Sequence, residues 1–433
     1  MAHQKVVTTS YGQRVGNSFK GILTGIVLFI GGTILLWWNE GNSVKTDKML
    51  NRAEEMTVPM DNINKVDSDF EGKLAYAVGE TVTQDSLLDE DFPVGSIAIK
   101  LQREVEYFQY EEHKNEKTKD KLGGGQETVI TYDYPTEWTD KPINSDSFDG
   151  EEGKAHKNFI LASFEDQEYY AEHVNFGAYH LANFQIKGFS GDEPALVNAD
   201  DETLKVLNEN INKTAPQTTE TSATTVASAN TQYVHVSDNV VYIGKNPSSP
   251  QVGDVRITFT KITPKKISLI AKVTNDTFSE EKIECGAYPW SKSYKTFSAL
   301  RMGEVAVDEI FQQEHDNNTM LTWILRLVGV LCVIGGLKGI FGILETLAKV
   351  VPFIANIVGF GVSIICTIVG LVWSLINIAL AWVFYRPLLG IAILVIAGGI
   401  IWYFSTKGKK KNAEAAAATA APATAQPTET PSV

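Results

Sequence analysis

Cysteine is scarce in this sequence of 433 residues, which contains only Cys285, Cys332 and Cys366. Only Cys285 lies in the long polar region at 42–319, so that region cannot hold an internal disulfide bond. A small secreted scaffold would need such bonds, whereas a polar region of this length can bury a sufficient core without them. The scarcity therefore excludes a disulfide framework and leaves the redox compartment open.

Basic residues are few in the same polar region. Residues 42–319 contain 27 Lys and Arg against 48 Asp and Glu, a net charge of −21, whereas the rest of the chain has a net charge of +7. Because a region this acidic repels phosphate, the charge balance argues against nucleic acid as a partner. We expect instead an exposed and solvated domain.

Recognisable catalytic and cofactor motifs are missing. The three glycines at 123–125 are not followed by the Lys and the Ser or Thr of a phosphate-binding loop, which favours a turn. There is no nucleophile elbow and no paired-histidine zinc helix, and His173 and His180 lack companions at metal-ligand spacing. The sequence thus predicts no catalytic, cofactor-binding or metal-binding residues, and we interpret its carboxylates as solvated surface.

Charge is also absent from two long stretches. The first, Gly21 to Trp38, supplies 18 uncharged residues, about the minimum for crossing a hydrocarbon core of roughly 30 Å at about 1.5 Å per residue. It ends in two tryptophans and has no cleavage pattern, so we interpret 21–39 as a retained signal anchor. Three basic residues and no acidic residue precede it, which predicts a cytoplasmic segment at 1–20 and a domain at 42–319 on the opposite side.

The second stretch lies within a dense apolar block near the C-terminus. The lysine-rich cluster after this block should lie in the cytoplasm, which requires an even number of crossings. Val350 to Tyr385 is 36 residues without a charge, too long for one upright helix, so we assign part of it to an interfacial or re-entrant segment. The predicted order is a second span at 320–340, this segment at 347–361, a third span at 362–384, a fourth at 387–406 and a disordered cytoplasmic tail at 407–433.

Arg326 lies about two helical turns inside the second predicted span. We interpret it as an anchor whose side chain reaches the membrane surface, and the alternative is an ion path or a lipid-headgroup site. Glycines recur through the spans, and small residues let helix backbones approach closely. We therefore expect the helices to pack on each other or on a second copy of the chain.

Alternating apolar and polar residues dominate the polar region and predict strands. The predicted strands are at 99–110, 255–260 and 267–273, with one at 128–134 that pairs with the first; helices are predicted at 44–55, in part of 163–181 and at 200–212. A flexible linker rich in Thr, Ser and Ala is expected at about 214–231. The predicted fold class is a multi-pass α-helical membrane protein with four spans and a large, strand-rich α+β extracytoplasmic domain.

Short stretches occur in a fixed order, which begins with Asn39, Glu40 and Gly41 after the first span and ends at the turn before the last span. This ordered set resembles the transmembrane protein 43 family, also called LUMA, and the resemblance covers nearly the whole ordered chain. The candidate family-motif or interface residues are Glu137, Trp138, His156, Asp254, Arg256, Arg326, Tyr385, Arg386 and Pro387. We interpret Trp138 as a core residue and Arg256 as half of an ion pair that steadies a sheet.

The resemblance implies one N-terminal and three C-terminal spans around a lumenal or periplasmic domain. The insertion around 205–230, Phe159 in place of an expected proline and the alanine-rich tail depart from the family pattern. The tail suggests a bacterial member in the inner membrane, whereas a eukaryotic member would lie in the endoplasmic reticulum or the inner nuclear membrane. The family is similar in role to membrane organisers that self-associate and bind other membrane proteins, with no established catalytic activity.

Three functions are compatible with these features. The favoured hypothesis is a non-enzymatic integral membrane scaffold, a homo-oligomer whose partners are the lipid bilayer and other membrane proteins. The alternative is an oligomeric channel or transport component, because Arg326, Asn356 and Asn377 lie at membrane depth. A membrane-anchored enzyme acting on lipid or envelope polymer is the third and weakest hypothesis.

Overall fold

The computed structural model describes residues 3–214, 232–286 and 292–386, together with Val395. The α-helices in these ranges are α1 (Tyr11–Met56), α2 (Gly150–Ala155), α3 (Asn183–Ile186), α4 (Asp201–Thr214), α5 (Val307–Ala348) and α6 (Pro352–Tyr385). The predicted linker after Thr214, the predicted fourth span at 387–406 apart from Val395, and the predicted tail at 407–433 lie outside the described residues.

Twenty-one strands lie in the same ranges. The first eight are β1 (His3–Thr9), β2 (Val58–Pro59), β3 (Leu74–Thr83), β4 (Ser86–Leu88), β5 (Gly95–Ile97), β6 (Lys100–Tyr110), β7 (His113–Asp120) and β8 (Gln126–Asp133). The next seven are β9 (Thr136–Thr139), β10 (Gln167–Tyr170), β11 (Val174–Phe176), β12 (Tyr179–His180), β13 (Glu193–Pro194), β14 (Val234–Ser237) and β15 (Val240–Ile243). The last six are β16 (Val255–Ile262), β17 (Lys266–Thr274), β18 (Thr277–Ser279), β19 (Glu281–Glu284), β20 (Tyr294–Phe297) and β21 (Ala299–Met302).

Three of the described helices, α1, α5 and α6, are long and apolar enough to cross a membrane. α1 has 46 residues, so at about 1.5 Å per residue it measures about 69 Å, far more than the predicted span at 21–39. It begins at a capping box in which Ser10 accepts a hydrogen bond from the Gln13 amide, and no proline interrupts it. The predicted helix at 44–55 is confirmed as its continuation.

The predicted interfacial segment at 347–361 and the predicted third span at 362–384 differ from the structure. α5 ends at Ala348, the chain turns, and Pro352 opens a single helix of 34 residues. Proline suits the first position of a helix because its φ is fixed there and its missing N–H would have no partner. Most of the predicted segment is therefore continuous with the span, and α6 measures about 51 Å.

The glycines of the first two spans mostly pack α1 against α5. A Cβ atom on Gly25 would lie 2.6 Å from the carbonyl oxygen of Gly336, and one on Gly32 would lie 2.9 Å from that of Gly329. Such approaches require glycine on both helices. A Cβ atom on Gly31, in contrast, would meet nothing within 4 Å among the described residues.

A closed ring of five strands forms the part of the domain nearest the helices. β3, β11, β12, β18 and β17 follow one another, and β17 pairs back with β3. The ring encloses three aromatic side chains, of which Phe176 and Tyr179 are fully buried and Phe278 is nearly so. β2 and β21 extend the same sheet outward, since they pair with β3 and β17.

A second sheet has the order β10-β6-β16-β15-β14, with β9 and β13 pairing on β6 and β16. Its core is separate from that of the ring and includes Leu101, Val105, Ile257 and Phe259. The strands predicted at 99–110, 255–260 and 267–273 are confirmed as β6, β16 and β17, and the helix predicted at 200–212 is confirmed as α4.

Two local predictions are wrong. The partial helix predicted within 163–181 is instead the three short strands β10, β11 and β12, because pairing with β6 and β3 overrides the weak local pattern. The strand predicted at 128–134 pairs with β7 and β1 rather than with β6. The predicted turn at 123–125 is confirmed, since Gly123 and Gly124 have φ of 88° and 83°, a region that favours glycine.

A long β-ribbon, which we call the arm, projects from the second sheet. Gln109 pairs with Glu137 where β6 meets β9, and His113 pairs with Asp133 where β7 meets β8. The same register therefore continues through residues 107–139. The ladder is interrupted only beside Pro135, which has no backbone N–H to donate.

The helical bundle contacts the domain at both ends. At the domain end, Met49, Leu50 and Ala53 of α1 pack with Ile310 and Phe311 of α5 and with the ring strands in a third apolar core. α1 and α5 thus run without a break from their apolar segments into the domain. This is the strongest physical link between membrane and domain.

At the far end, the tip of the arm contacts the start of the bundle. β1 pairs with β8 over seven residues, Arg14 Nη1 lies 2.7 Å from Asp120 Oδ1, and the Gly123 amide donates to the Val350 carbonyl. The predicted placement of 1–20 and 42–319 on opposite sides of the membrane stays a prediction. The structure places the N-terminal strand beside the arm.

Candidate functional site

A cluster of charged and aromatic side chains joins the three long helices at the domain end, and we call it the junction cluster. Arg326 Nε and Nη2 donate to Glu40 Oε1 and Oε2 over 2.6 and 2.8 Å. Trp382 Nε1 donates to the same carboxylate over 2.8 Å. The two-pronged guanidinium–carboxylate geometry gives the strongest kind of ion pair, and it ties α1, α5 and α6 together.

Burial makes the junction cluster sensitive to the loss of either charge. Glu40 is only 1% exposed, and the Arg326 side chain is 15% exposed. The Arg326 guanidinium also lies over the Trp323 ring at 4.7 Å, which shields one of its faces. A buried charge of this kind is tolerated only while its partner is present.

A second layer of polar contacts surrounds Asp47, which lies about two helical turns beyond Glu40 on α1. Arg386 Nη2 lies 3.1 Å from Asp47 Oδ2, and Asn318 Nδ2 donates to Oδ1 over 2.6 Å. His315 Nδ1 lies 3.7 Å from the same carboxylate. α1, α5 and the end of α6 are therefore joined a second time, outside the apolar segments.

Tyr385 closes the cluster against the glycine of the Asn39–Glu40–Gly41 stretch. A Cβ atom on Gly41 would lie 2.5 Å from the Tyr385 ring, so the ring packs closely against the α1 backbone. Trp37 packs against Tyr385 with ring centroids 6.2 Å apart. Of the candidates from the last turn, Tyr385 and Arg386 thus belong to the junction cluster, while Pro387 lies outside the described residues.

The structure gives Arg326 a partner that sequence reasoning did not assign to it. Glu40 was noted only as part of the stretch that follows the first span, and 286 residues separate the two side chains in the sequence. The signal that could have found the pair was the presence of one acidic and one basic residue near the same end of two adjacent spans. The Glu40 carboxylate therefore neutralises the charge of the Arg326 guanidinium.

Trp138 and Arg256 meet on the outer face of the second sheet. The Arg256 guanidinium carbon lies 4.3 Å from the Trp138 ring centroid, and Arg256 Nε donates to Glu106 Oε2 over 2.6 Å. The expected ion pair on the sheet is present, but Trp138 is half-buried on the sheet surface rather than in a core. Glu137 is exposed and, since side chains alternate along a strand, points to the other face.

Asp254 is buried beside this surface, with 3% of its area exposed. The Tyr242 hydroxyl donates to Asp254 Oδ2, and the Gln251 amide donates to the same oxygen over 2.8 Å. Burial raises the pKa of the Asp254 carboxyl, and burial followed by the bond to Asp254 raises the pKa of the Tyr242 hydroxyl. The pair fixes the turn that precedes β16.

A shallow cavity of about 360 Å³ opens where these residues meet. Trp138, Tyr242 and Arg256 line one part of it, and His235, Pro247 and Pro250 line another. His156, the last domain candidate, lies elsewhere: its ring stacks on Tyr134 at a centroid distance of 4.5 Å. The structure therefore brings Trp138, Arg256 and Asp254 together and leaves His156 in a separate aromatic cluster of the arm.

The family model described as Transmembrane protein 43 matches residues 107–387, which include the arm, Asp254, Arg256 and Arg326. The chain belongs to the transmembrane protein 43 family. It is therefore an integral membrane protein with a large sheet domain, as the resemblance predicted.

Curated members of the transmembrane protein 43 family match most of the chain. The rat protein is 28% identical over 390 residues, 87% of each chain, and the human protein is 28% identical over 411 residues, 91% of this chain and 92% of its own. A Drosophila melanogaster homologue is 24% identical over 391 residues, 88% of this chain and 93% of its own. No solved structure matches the chain.

Proposed function

We propose that this member of the transmembrane protein 43 family is a non-enzymatic membrane scaffold that self-associates and binds other membrane proteins or lipids. The observation that carries the proposal is the continuity of α1 and α5, which pass from apolar segments into the core of the domain without a hinge. A domain attached in this way keeps its orientation relative to the bundle. It can therefore present the same surface to every partner.

The outer surface of α6 supports the membrane part of the proposal. Phe353, Phe360 and Leu375 are 73%, 70% and 64% exposed among the described residues. Apolar surface at this depth contacts lipid or another transmembrane helix. Most glycines of α1 and α5 are already used within the chain, so self-association would have to use an outward surface such as the one around Gly31.

The channel alternative gains no support from the arrangement of its three residues. Arg326 is paired with Glu40, Asn356 is exposed on the outside of α6, and the Asn377 side chain donates to the Trp373 carbonyl of its own helix. A polar path would need several such groups to converge. The enzyme alternative stays a hypothesis with no catalytic arrangement to support it among the described residues.

Crosslinking in native membranes, followed by affinity purification and analysis of both proteins and lipids, tests the scaffold proposal. We expect crosslinked oligomers together with co-purifying membrane proteins or lipids. Gly31→Leu should reduce the oligomers without changing thermal stability, because the side chain would project from the bundle. Monomers alone, with nothing co-purifying, would contradict the proposal.

A further inference from the structure

The base of the arm gathers side chains that no proposed function uses. Gln109 pairs with Glu137 and His113 pairs with Asp133, and the Glu111 amide donates to the Pro135 carbonyl over 3.0 Å between them. Side chains two residues apart on a strand share a face, and directly opposite residues share it too. Glu111, His113, Asp133 and Glu137 therefore lie on one face of the ribbon.

Three of these residues are close enough to share a cation. One carboxylate oxygen from each of Glu111 and Glu137 and one ring nitrogen of His113 all lie within 4.8 Å of one another. Glu111 Oε2 and His113 Nε2 are 3.7 Å apart. Metal–ligand bonds of about 2.0–2.2 Å bring such atoms somewhat closer, and partly or fully exposed side chains can rotate to close the gap.

The negative charge at this place is not neutralised by Lys or Arg in the described part of the chain. The Glu137 carboxylate has no hydrogen bond or ion pair there, and the Glu111 carboxylate pairs only with His113. The nearest lysine in sequence, Lys114, points to the other face and pairs with Glu112 at 3.4 Å. A divalent cation is attracted to such a place, because two carboxylates and an imidazole lie together there without a cationic side chain.

We propose that Glu111, His113 and Glu137 bind a divalent cation of the Zn²⁺ class at the base of the arm. The imidazole favours a first-row transition metal or zinc over Ca²⁺ and Mg²⁺, which prefer all-oxygen sites. Three protein ligands leave a fourth position that a water molecule can fill. This goes beyond the sequence analysis, which predicted no metal ligands.

The site has a structural consequence because of where it lies. Glu111 and His113 belong to one strand of the ribbon and Glu137 to the other, on either side of the interruption at Pro135. A bound cation would join the two strands where their hydrogen-bond ladder is broken. It would hold the direction in which the arm leaves the second sheet.

Isothermal titration calorimetry, in which ZnCl₂ is titrated into the full chain in detergent micelles, tests the proposal. The protein must be purified with a tag that contains no histidine. We expect one site per chain that His113→Gln and Glu137→Gln each weaken by about tenfold or more, because each removes a ligand. Both residues are exposed, so the variants should fold. The matched control is His173→Gln, since His173 lies 3.5 Å from a single carboxylate, that of Asp85.

Limited proteolysis of the arm gives the second measurement. Zn²⁺ should protect the arm in the wild type and in His173→Gln, and it should not protect it in the double variant of His113→Gln and Glu137→Gln. The proposal would be overturned if the wild type and the double variant gave the same calorimetric isotherm. A loss of binding in His173→Gln equal to that in His113→Gln would also overturn it.

Discussion

The two ends of the helical bundle are held to the domain in different ways. At the domain end, an apolar core and the buried pair of Glu40 and Arg326 join three helices to the ring of strands. At the far end, the contacts come from the tip of one ribbon and from the short strand β1. We expect the domain end to contribute more to stability and orientation than the far end does.

Removal of one junction charge should have the largest effect. Glu40→Ala leaves Arg326 buried without a counter-charge, which typically costs about 3–5 kcal/mol in the free energy of unfolding. Chemical or thermal unfolding in detergent measures this difference. The matched control at the far end is Lys5→Ala, whose exposed pair with Asp149 should change the stability little. Equal losses of stability in Glu40→Ala and Lys5→Ala would contradict the difference between the two ends.

A steric change between the ends should have an intermediate effect. Gly25→Leu forces a side chain against the α5 backbone and should destabilise the bundle by about 1–3 kcal/mol, as overpacking does. Gly31→Leu is the matched control, because the space beside Gly31 is open. Thermal unfolding of both variants in the same detergent checks the difference, and similar melting temperatures would contradict the packing described here.

The pairing of β1 with the arm can be tested directly by a disulfide bond. Val6 and Val129 are register partners, so Val6→Cys with Val129→Cys, in a chain without its three native cysteines, should crosslink under mild oxidation. Arg14→Ala should lower the yield, because it removes a buried guanidinium that lies 2.7 Å from Asp120. Gel mobility measures the crosslink.

The same double-cysteine chain tests the predicted topology. If residues 1–20 and the arm lie on opposite sides of the membrane, no crosslink forms and each cysteine reacts with an impermeant label from a different side. If β1 pairs with β8, both cysteines are labelled from the same side.

A smaller, pH-dependent effect should be confined to the far end. The hydrogen bond from Lys5 lowers the pKa of the Asp149 carboxyl, so the folded state binds this proton less readily than the unfolded chain does. The stabilisation is present above the ordinary pKa of 3.8 and is lost as pH falls through the lowered folded value. Hydrogen exchange of β1 relative to α1, compared between wild type and Asp149→Asn, measures it. A pH dependence that persists in Asp149→Asn would contradict this assignment.

Local patterns predicted much of the fold because they report local preferences. Uncharged runs indicated α1, α5 and α6, and alternation indicated β6, β16 and β17. The helix wrongly predicted within 163–181 shows the limit, since β10, β11 and β12 exist through pairing with strands far away in sequence. The closure of the ring between β3 and β17 depends on the same kind of distant contact.

The candidate site was predicted residue by residue but not as an arrangement. Arg326, Tyr385 and Arg386 were selected separately, and the structure brings them to one place through their partners on α1. Sequence spacing carries no information about contacts between residues nearly 300 positions apart. The shared face of Glu111, His113 and Glu137 became visible only once the ribbon register was known.

The central claim is that Glu40 and Arg326 act as one buried pair that joins membrane helices and domain. A double-mutant cycle with Glu40→Leu, Arg326→Leu and both together, read as the free energy of unfolding in detergent, tests it most directly. Each single variant should be strongly destabilised and the double variant should recover much of the loss, because a buried ion pair can be replaced by apolar side chains. Additive losses in the double variant would contradict the claim.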